Sequence, residues 1–197
     1  MRRPTAPFLA RAVLRLRVAG VVLLLALQLS GCITADGVLE PDGTGKLTLT
    51  YAAAQGTDEA MERERLQVPG ITIESFSMAP DRKVTTVLRV TDLAAIGKMA
   101  ILKGVTVTTG TDGDAKTLTV AAVTTALPRK PAESIPGPSI RLTLPGTVLD
   151  ATESGVVDGS TVKWAFQLRA WQERPQWKLT ARYRPAQPGA PAAPRPE

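Results

Sequence analysis

From residue 37 onward, the chain is dominated by segments in which apolar and polar residues alternate. In residues 37–51, a Pro-Asp-Gly turn is followed by Leu47, Leu49 and Tyr51, with polar residues between them. This two-residue period is typical of a half-buried β-strand. The same alternation predicts strands over 71–78, 84–90, 105–108, 118–121, 140–144, 162–168 and 177–183. In 71–78, a register shift at Glu74–Ser75 predicts a bulge.

Two shorter segments are predicted to be helical. Residues 57–66 begin with Thr57, which suits a helix N-cap, and the charged residues that follow are predicted to form a solvated face. Residues 92–102 have Thr91 or Asp92 as the cap. The inner stripe of this second helix is predicted to be Leu93, Ile96 and Ala100.

The pattern changes after residue 126. Four prolines are predicted to exclude a regular element from residues 127–138, namely Pro128, Pro131, Pro136 and Pro138. This segment is interpreted as a surface connection or, alternatively, as a flap over a cavity. Beyond it only strands are predicted, and Gln172–Pro175 is predicted to join the last two as a hairpin. The order predicts an α+β fold class, with strand-helix-strand units followed by an all-β C-terminal part.

Two turns resemble ligand-binding loops but lack the necessary residues. The glycines near Gly45 invite comparison with a phosphate-binding loop, but Glu40 stands where a glycine is needed and Leu47 where Ser or Thr is needed. The acidic turn at 111–114 lacks the spaced carboxylates and the terminal Glu of a calcium loop. Both segments are interpreted as ordinary turns.

Residues 1–31 have the organisation of a secretory signal peptide, with arginines but no acidic residue, then an apolar run over 18–29. This run is too short to span a membrane, which would need about 20 apolar residues. The run ends at Leu29, Ser30, Gly31 and Cys32, which resemble the lipobox of bacterial lipoproteins. The resemblance implies diacylglycerol on the Cys32 thiol, cleavage before Cys32, and fatty acylation, for example by palmitate, of the new N-terminus. The alternative is an ordinary signal peptide followed by a small buried cysteine.

Removal of the signal peptide changes the charge balance. The whole chain has 24 basic and 18 acidic residues and a net charge of +6, but five of the arginines precede Cys32. The mature chain therefore has 19 basic and 18 acidic residues. Since only 4 % of the residues are aromatic, neither charge nor stacking side chains indicate nucleic-acid binding.

The chain has no histidine and a single cysteine. This composition excludes Ser-His-Asp and Cys-His catalysis, zinc or haem ligation through histidine, and an intramolecular disulfide. We therefore predict a protein that is not an enzyme and that holds neither a cofactor nor a metal ion. The alternative is a carboxylate-based enzyme that uses Asp150, Glu153 and Asp158, although these residues lie in predicted turns.

Residues 144–164, LPGTVLDATESGVVDGSTVKW, resemble the signature of LppM-like domains, a family of bacterial envelope lipoproteins. In that signature a Pro-Gly pair precedes a turn and then Gly-Asn-Thr-Val-x-Trp, and Ser160 replaces the Asn here. The matching residues are Pro145, Gly146, Gly159, Thr161 and Trp164. The resemblance implies a curved, mainly antiparallel sheet with two short helices, a cavity for lipid-like molecules and no catalytic residues. The residue types themselves indicate turn formation and core packing.

The sequence thus predicts a cleaved signal peptide (1–31), a lipidated tether (32–36), a single domain (37–184) and a disordered Pro/Ala-rich tail (185–197). The mature protein is predicted to lie in the bacterial cell envelope on the periplasmic or extracytoplasmic side. Its first partner is the bilayer, through acylated Cys32. The inner and the outer membrane stay open as alternatives, and the absence of Asp after Cys32 favours the outer one.

The C-terminal strands add a surface hypothesis. From residue 163 onward, the chain has seven basic and two acidic residues. If the last two strands pair, their outward side carries Lys163, Arg169, Trp171, Lys178, Arg182 and Arg184. Such a basic patch near an acylated anchor would contact anionic headgroups. The alternative is a solvated strand face whose basic residues protect a sheet edge.

Two functions are expected for the domain. The first is non-enzymatic binding of an apolar or lipid-like ligand. The second is docking of an envelope protein through a sheet edge or through the proline-rich segment.

Overall fold

The computed structural model describes residues 33–124 and 131–186, and most of them lie in β-strands. The strands are β1 (Thr34–Leu39), β2 (Gly45–Ala52), β3 (Ile71–Met78), β4 (Lys83–Val90), β5 (Val105–Asp112), β6 (Ala115–Val123), β7 (Pro136–Thr143), β8 (Gly146–Ala151), β9 (Val156–Asp158), β10 (Thr161–Gln167) and β11 (Gln176–Pro185). The helical segments are α1 (Glu59–Glu64), α2 (Leu168–Glu173) and two 3₁₀-helices, Leu93–Lys98 and Ala100–Leu102. The fold is therefore mainly β with a few short helices.

These strands form two open sheets. The larger sheet has the order β3-β4-β2-β1-β7-β10-β9, in which β1 and β7 are parallel and the other neighbours are antiparallel. The smaller sheet has the order β5-β6-β11-β8 and is antiparallel among its described strands. The mainly antiparallel pairing agrees with the expectation, whereas the alternation of residues does not indicate how strands divide between sheets.

The predicted alternation is confirmed on the strands that build the core. Leu47, Leu49 and Tyr51 of β2 are buried. The buried residues of β11 are Trp177, Leu179, Ala181 and Tyr183. The predicted hairpin forms between β5 and β6, and the predicted bulge in β3 is confirmed by a register shift between Ile73 and Ser75.

One face of the larger sheet is apolar and is covered in two parts. Under β1 and β10, Leu39 and Trp164 share a core cluster with Leu179 and Tyr183 of the smaller sheet. Under β2 and β4, a second cluster contains Leu66, Ile96 and Met99. Leu66 follows the end of α1, Ile96 lies in the first 3₁₀-helix, and Met99 is the residue after that helix. Because the two sheets pack through their apolar faces, their polar faces point away from each other.

The fold extends closer to both ends of the chain than predicted. β1 starts at Thr34, so residues 34–36 belong to a sheet rather than to a tether. β11 runs through Pro185, and the N–H of Ala186 donates to the carbonyl O of Pro145 (3.1 Å). The rest of the predicted tail, 187–197, lies outside the described residues.

The prediction that prolines exclude a regular element is wrong for Pro136 and Pro138, which lie in β7. β7 pairs with β1 only from Ser139 onward, so the two prolines have a neighbouring strand on one side alone. Proline is tolerated at the start of a strand because the missing N–H interrupts no established ladder. Pro128 lies outside the described residues.

The helical predictions also need correction. The N-cap of α1 is Asp58 rather than Thr57, since the Asp58 carboxylate accepts the Met61 N–H (2.9 Å). The predicted helix 92–102 is divided into the two 3₁₀-helices, and Ala100 is exposed while Ala95 and Met99 are buried. The cap at Asp92 is confirmed, since its carboxylate accepts the Ala94 N–H (2.9 Å).

Candidate functional site

The predicted lipidation site borders the described structure. Cys32 and the predicted recognition residues Leu29, Ser30 and Gly31 lie outside the described residues, so their roles stay predictions. Ile33 already takes part in the fold, because its carbonyl O accepts the Ser139 N–H (2.9 Å).

Pro145 and Gly146 mark the place where the chain leaves the larger sheet for the smaller one. β7 ends at Thr143, and β8 begins at Gly146 beside the last residues of β11. A Cβ on Gly146 would lie 2.0 Å from the carbonyl O of Arg184, so this close approach requires glycine. The predicted break between two strands is confirmed here.

Trp164 is a buried core residue that holds the turn after β8. Its side chain is 1 % exposed, and its indole N–H donates to the carbonyl O of Thr152 (2.7 Å). A Cβ on Gly155, in the same turn, would lie 2.6 Å from the indole nitrogen. The turn therefore packs directly on the edge of the Trp164 ring.

Gly159 and Thr161 belong to the connection from β9 to β10. Gly159 has a φ of +58° in the two-residue loop between Asp158 and Thr161. The Thr161 and Thr143 hydroxyls lie 3.2 Å apart. This connection meets the β7–β8 connection, since the Leu144 N–H donates to the Ser160 carbonyl O (2.8 Å). The motif residues that resemble LppM-like domains thus make structural contacts in one region of the fold.

The six residues of the predicted basic patch are not brought together. The hairpin prediction is wrong, because β10 pairs with β7 and β9 whereas β11 pairs with β6 and β8. Lys163 consequently lies on the polar face of the larger sheet. Lys178, Arg182 and Arg184 lie on the polar face of the smaller sheet, which points the other way. Arg169 and Trp171 lie on α2.

Carboxylates neutralise the arginines of that predicted patch. The ion pairs are Arg182–Asp112 (3.1 Å), Arg182–Asp150 (2.9 Å), Arg184–Asp114 (3.4 Å), Arg169–Glu133 and Arg169–Glu173 (3.5 Å). The hydrogen bonds with Asp112 and Asp150 raise the pKa of Arg182 further above its ordinary value. The excess of basic over acidic residues in this part of the sequence therefore overstates the positive charge of the folded surface.

The three carboxylates weighed for catalysis have separate surroundings. Asp150 pairs with Arg182 on the smaller sheet, and Glu153 pairs with Arg174 (2.7 Å). Asp158 ends β9 in the larger sheet. Over 33–124 and 131–186, no group of three or more His, Cys, Asp or Glu side chains is placed to hold a metal ion. Nor does any helix in these ranges have the length and apolar character needed to cross a membrane.

Three aromatic side chains meet where α2 connects β10 to β11, and the sequence analysis did not find this arrangement. The Trp171 and Trp177 rings stack with centroids 5.1 Å apart and planes within 3°. The Phe166 centroid lies 4.9 Å from Trp171 and 4.6 Å from Trp177. Trp177 is buried, whereas Phe166 and Trp171 are partly exposed. We call these three residues the aromatic group.

The aromatic group is held in place by polar contacts of its neighbours. The Trp177 indole N–H donates to the carbonyl O of Trp171 (2.7 Å), and the Arg174 guanidinium lies 4.6 Å from the centre of the Trp177 ring. Arg174 is also paired with Glu153. The sequence does contain a signal, since two tryptophans and a phenylalanine lie within 12 positions. The turn predicted at 172–175 separates Trp177 from the other two, so the sequence analysis does not group them.

Glu62 is a fully buried carboxylate, so the prediction that the charges of the first helix are solvated is wrong at this residue. Its relative exposure is 0 %. One carboxylate oxygen accepts the Thr57 hydroxyl (2.7 Å), the Ala54 N–H (3.1 Å) and the Arg65 guanidinium (2.6 Å). The other accepts the Tyr51 hydroxyl (3.1 Å). Glu62 therefore joins α1 to β2 and to the loop between them.

Electrostatics indicate that this buried cluster is structural. Burial raises the pKa of Glu62, but the hydrogen bonds from Thr57, Ala54 and Arg65 together outweigh burial and hold that pKa below its ordinary value. Burial, reinforced by the Glu62 charge, raises the pKa of the Tyr51 hydroxyl far above its ordinary range. Near neutral pH, Glu62 is thus ionised and Tyr51 is protonated, and neither group is poised to exchange a proton.

Glu62→Gln is expected to lower the free energy of unfolding by about 2–3 kcal/mol, because charge-assisted hydrogen bonds inside the fold are lost. The contribution of the wild-type carboxylate is present above the ordinary pKa of 4.5 and is lost as the pH falls through the lower folded value. Denaturant unfolding of both proteins between neutral and acidic pH measures the difference. The exposed residue Glu64 supplies the matched control, Glu64→Gln. Equal stabilities at neutral pH, or a difference that grows on acidification, would contradict the assignment.

Comparisons with protein-family models, with curated proteins and with solved structures give no match for this chain. The resemblance to LppM-like domains therefore rests on the sequence motif from Pro145 to Trp164 and stays a prediction.

Proposed function

We propose that this chain is a bacterial envelope lipoprotein, anchored by acylated Cys32, whose domain acts by binding rather than by catalysis. The observation that carries the proposal is the agreement of two boundaries. The lipobox-like sequence ends at Cys32, and Ile33 is already hydrogen-bonded within the larger sheet. Cleavage before Cys32 would leave every described strand in the mature protein.

A binding role is supported by what the polar side chains do. Asp150 and Glu153 are each paired with an arginine, and the buried Glu62 is committed to four hydrogen bonds. The residues of the LppM-like motif serve turns and the core. An apolar or lipid-like ligand is the class that the family resemblance implies, and the partly exposed aromatic group supplies side chains that suit it.

A second candidate function, docking of an envelope protein, is favoured by the exposed edge of the smaller sheet. β5 is an edge strand, and its residues from Thr108 to Asp112 are all exposed. The start of β5 is covered at this edge, because Gly97 of the first 3₁₀-helix packs against it, and a Cβ on Gly97 would lie 1.9 Å from the Val105 carbonyl O. An unpaired strand edge offers backbone N–H and C=O groups to an extended segment of another protein.

Native mass spectrometry of the mature protein, purified from its host membranes, distinguishes these functions. The proposal predicts a reproducible additional mass that is not covalently bound and that extracts into organic solvent. A clean protein mass, unchanged when host lipids are added, would contradict lipid-like binding. In that case, a co-purifying protein that protects the β5 amides from hydrogen exchange would establish the docking function.

A further inference from the structure

The membrane anchor and the folded sheet are separated by almost no chain. Cys32 is bonded to Ile33, and consecutive Cα atoms lie about 3.8 Å apart. Ile33 itself is fixed by the hydrogen bond from Ser139, and Thr34 is paired with both Ser139 and Thr50. If Cys32 carries acyl chains, the start of β1 is therefore held at the bilayer surface without a flexible tether.

The start of β1 lies at the same end of the larger sheet as α2. β1 and β7 are parallel, so both begin at this end, and β10 finishes there with Gln167 opposite Pro136. α2 follows directly, and the Leu168 N–H donates to the Ile135 carbonyl O (2.9 Å). Since Thr34 is level with Ser139, Pro136 and Gln167 lie three strand residues beyond it, roughly 10 Å further toward that end at about 3.3 Å per residue.

This end of the domain exposes apolar side chains next to the aromatic group. We call it the anchor-side end and define it by Ile33, Val123, Ile135, Phe166 and Trp171. Ile135 is 40 % exposed and Val123 is 56 % exposed. Val123 belongs here because it pairs with Gln176, the first residue of β11 after α2. These exposed residues lie where the position of Cys32 would bring the domain closest to lipid.

The polar groups at the anchor-side end suit the bilayer interface. Arg169 is paired with Glu133 and Glu173, so the only positive charge of these three residues is neutralised and their net charge is −1. Trp171 stacks on Trp177, is partly exposed, and its indole N–H has no hydrogen-bond partner within the described ranges. A tryptophan with an apolar ring and a free N–H is characteristic of the headgroup region of membranes.

We propose that the anchor-side end rests on the bilayer that holds Cys32, with Ile135 and Trp171 in contact with the lipid interface. The inference rests on the proposed acylation of Cys32 and adds an orientation to it. The β7–β8 and β9–β10 connections of the LppM-like motif, at the other end of β10, then face away from the membrane. Contact through apolar and aromatic side chains replaces the basic patch that the sequence predicted.

The test uses the mature chain, residues 32–197, coupled through its single thiol to a maleimide-bearing phospholipid in phosphatidylcholine vesicles. Coupling fixes the anchor chemically, so the orientation is measured whether or not a cell acylates Cys32. Acylation itself is measured separately, by the mass of the protein from its host. Tryptophan fluorescence is recorded with vesicles whose acyl chains carry bromine, which quenches only nearby indoles.

We expect brominated lipids to quench the coupled protein, and we expect Trp171→Phe to remove most of that quenching. Ile135→Asp should also weaken it, because a carboxylate resists transfer to the interface. Leu149→Asp is the matched control, since Leu149 is 38 % exposed and lies on β8, away from the anchor-side end. It should leave the quenching unchanged, and the unfolding transition of each variant confirms that it folds.

Two results would overturn the proposal. The first is an absence of lipid quenching while Trp171 remains accessible to acrylamide. The second is an absence of lipid quenching in the brominated vesicles while Trp171 is shielded from acrylamide, which would show that a second copy of the chain, rather than lipid, covers the anchor-side end. Quenching through the thiol-coupled lipid combined with an unacylated native protein would refute the proposed lipoprotein function and leave the surface assignment in place.

Discussion

Cys32→Ser is expected to abolish incorporation of fatty acid into the protein. Serine has nearly the same size as cysteine, but its hydroxyl does not replace the thiolate as a nucleophile toward a diacylglyceryl donor. Cys32 is the only cysteine of the chain, so no second thiol substitutes for it. Growth with an alkynyl fatty acid, followed by coupling of a fluorophore to the purified protein, measures the effect.

The same acyl chains would attach the protein to the membrane. Each acyl methylene that enters the bilayer contributes about 0.8 kcal/mol, and stable attachment needs more than one chain. Thr34→Ser, two residues away at an exposed position, is the control and should label like the wild type. Label that persists in Cys32→Ser would place the lipid on another residue and would refute the lipobox interpretation.

Trp164→Ala is expected to lower the free energy of unfolding by about 3–5 kcal/mol. The side chain is 1 % exposed and fills the core between the two sheets. Truncation would leave a cavity, and it would remove the hydrogen-bond donor of the Thr152 carbonyl O and the ring on which Gly155 packs. Denaturant unfolding of the two proteins gives the difference directly.

Two further variants test whether Trp164 acts through the core. Trp164→Phe keeps much of the ring volume but loses the indole N–H, so it should be less destabilising than Trp164→Ala. Trp171→Ala removes a partly exposed ring and should cost less than Trp164→Ala. If Trp164→Ala left stability nearly unchanged but removed a bound lipid, Trp164 would be a ligand contact rather than a core residue.

The sequence predicts the strands better than their partners. Alternation in β11 correctly places Leu179 and Ala181 in the core, because burial of one strand face is a local pattern. The same pattern does not say which strand lies alongside. Consecutive strands favour a hairpin, so the sequence predicts that β10 pairs with β11. In the structure, α2 lies between them and connects the larger sheet to the smaller one.

Some elements were missed because their sequence signals are weak. β1 presents Ala35 and Gly37 on its inner face, and such small residues give little apolar contrast with their polar neighbours. A Cβ at Gly37 would lie 2.8 Å from the Leu142 side chain of β7, so a larger residue there would require that side chain to shift. A parallel pair formed from segments about 100 residues apart is a tertiary contact that local patterns do not encode.

The burial of Glu62 depends on partners from three places in the chain. A glutamate within the sequence EAMERE looks like any other charge on a solvated helix. Its environment arises only when Tyr51 of β2 and Thr57 of the loop come within hydrogen-bond distance. The ion pairs of Arg182, a residue of the predicted basic patch, have a similar origin, because Asp112 and Asp150 come within reach of it only in the folded smaller sheet.

The central claim, that this is a lipoprotein whose fold begins directly at its anchor, is tested most directly by the mass of the mature protein from its host membranes. Intact and N-terminal peptide masses should show a chain that begins at Cys32 and carries a diacylglyceryl group, with or without a further acyl chain. A mature chain that begins at another residue, or a Cys32 with a free thiol, would contradict the account.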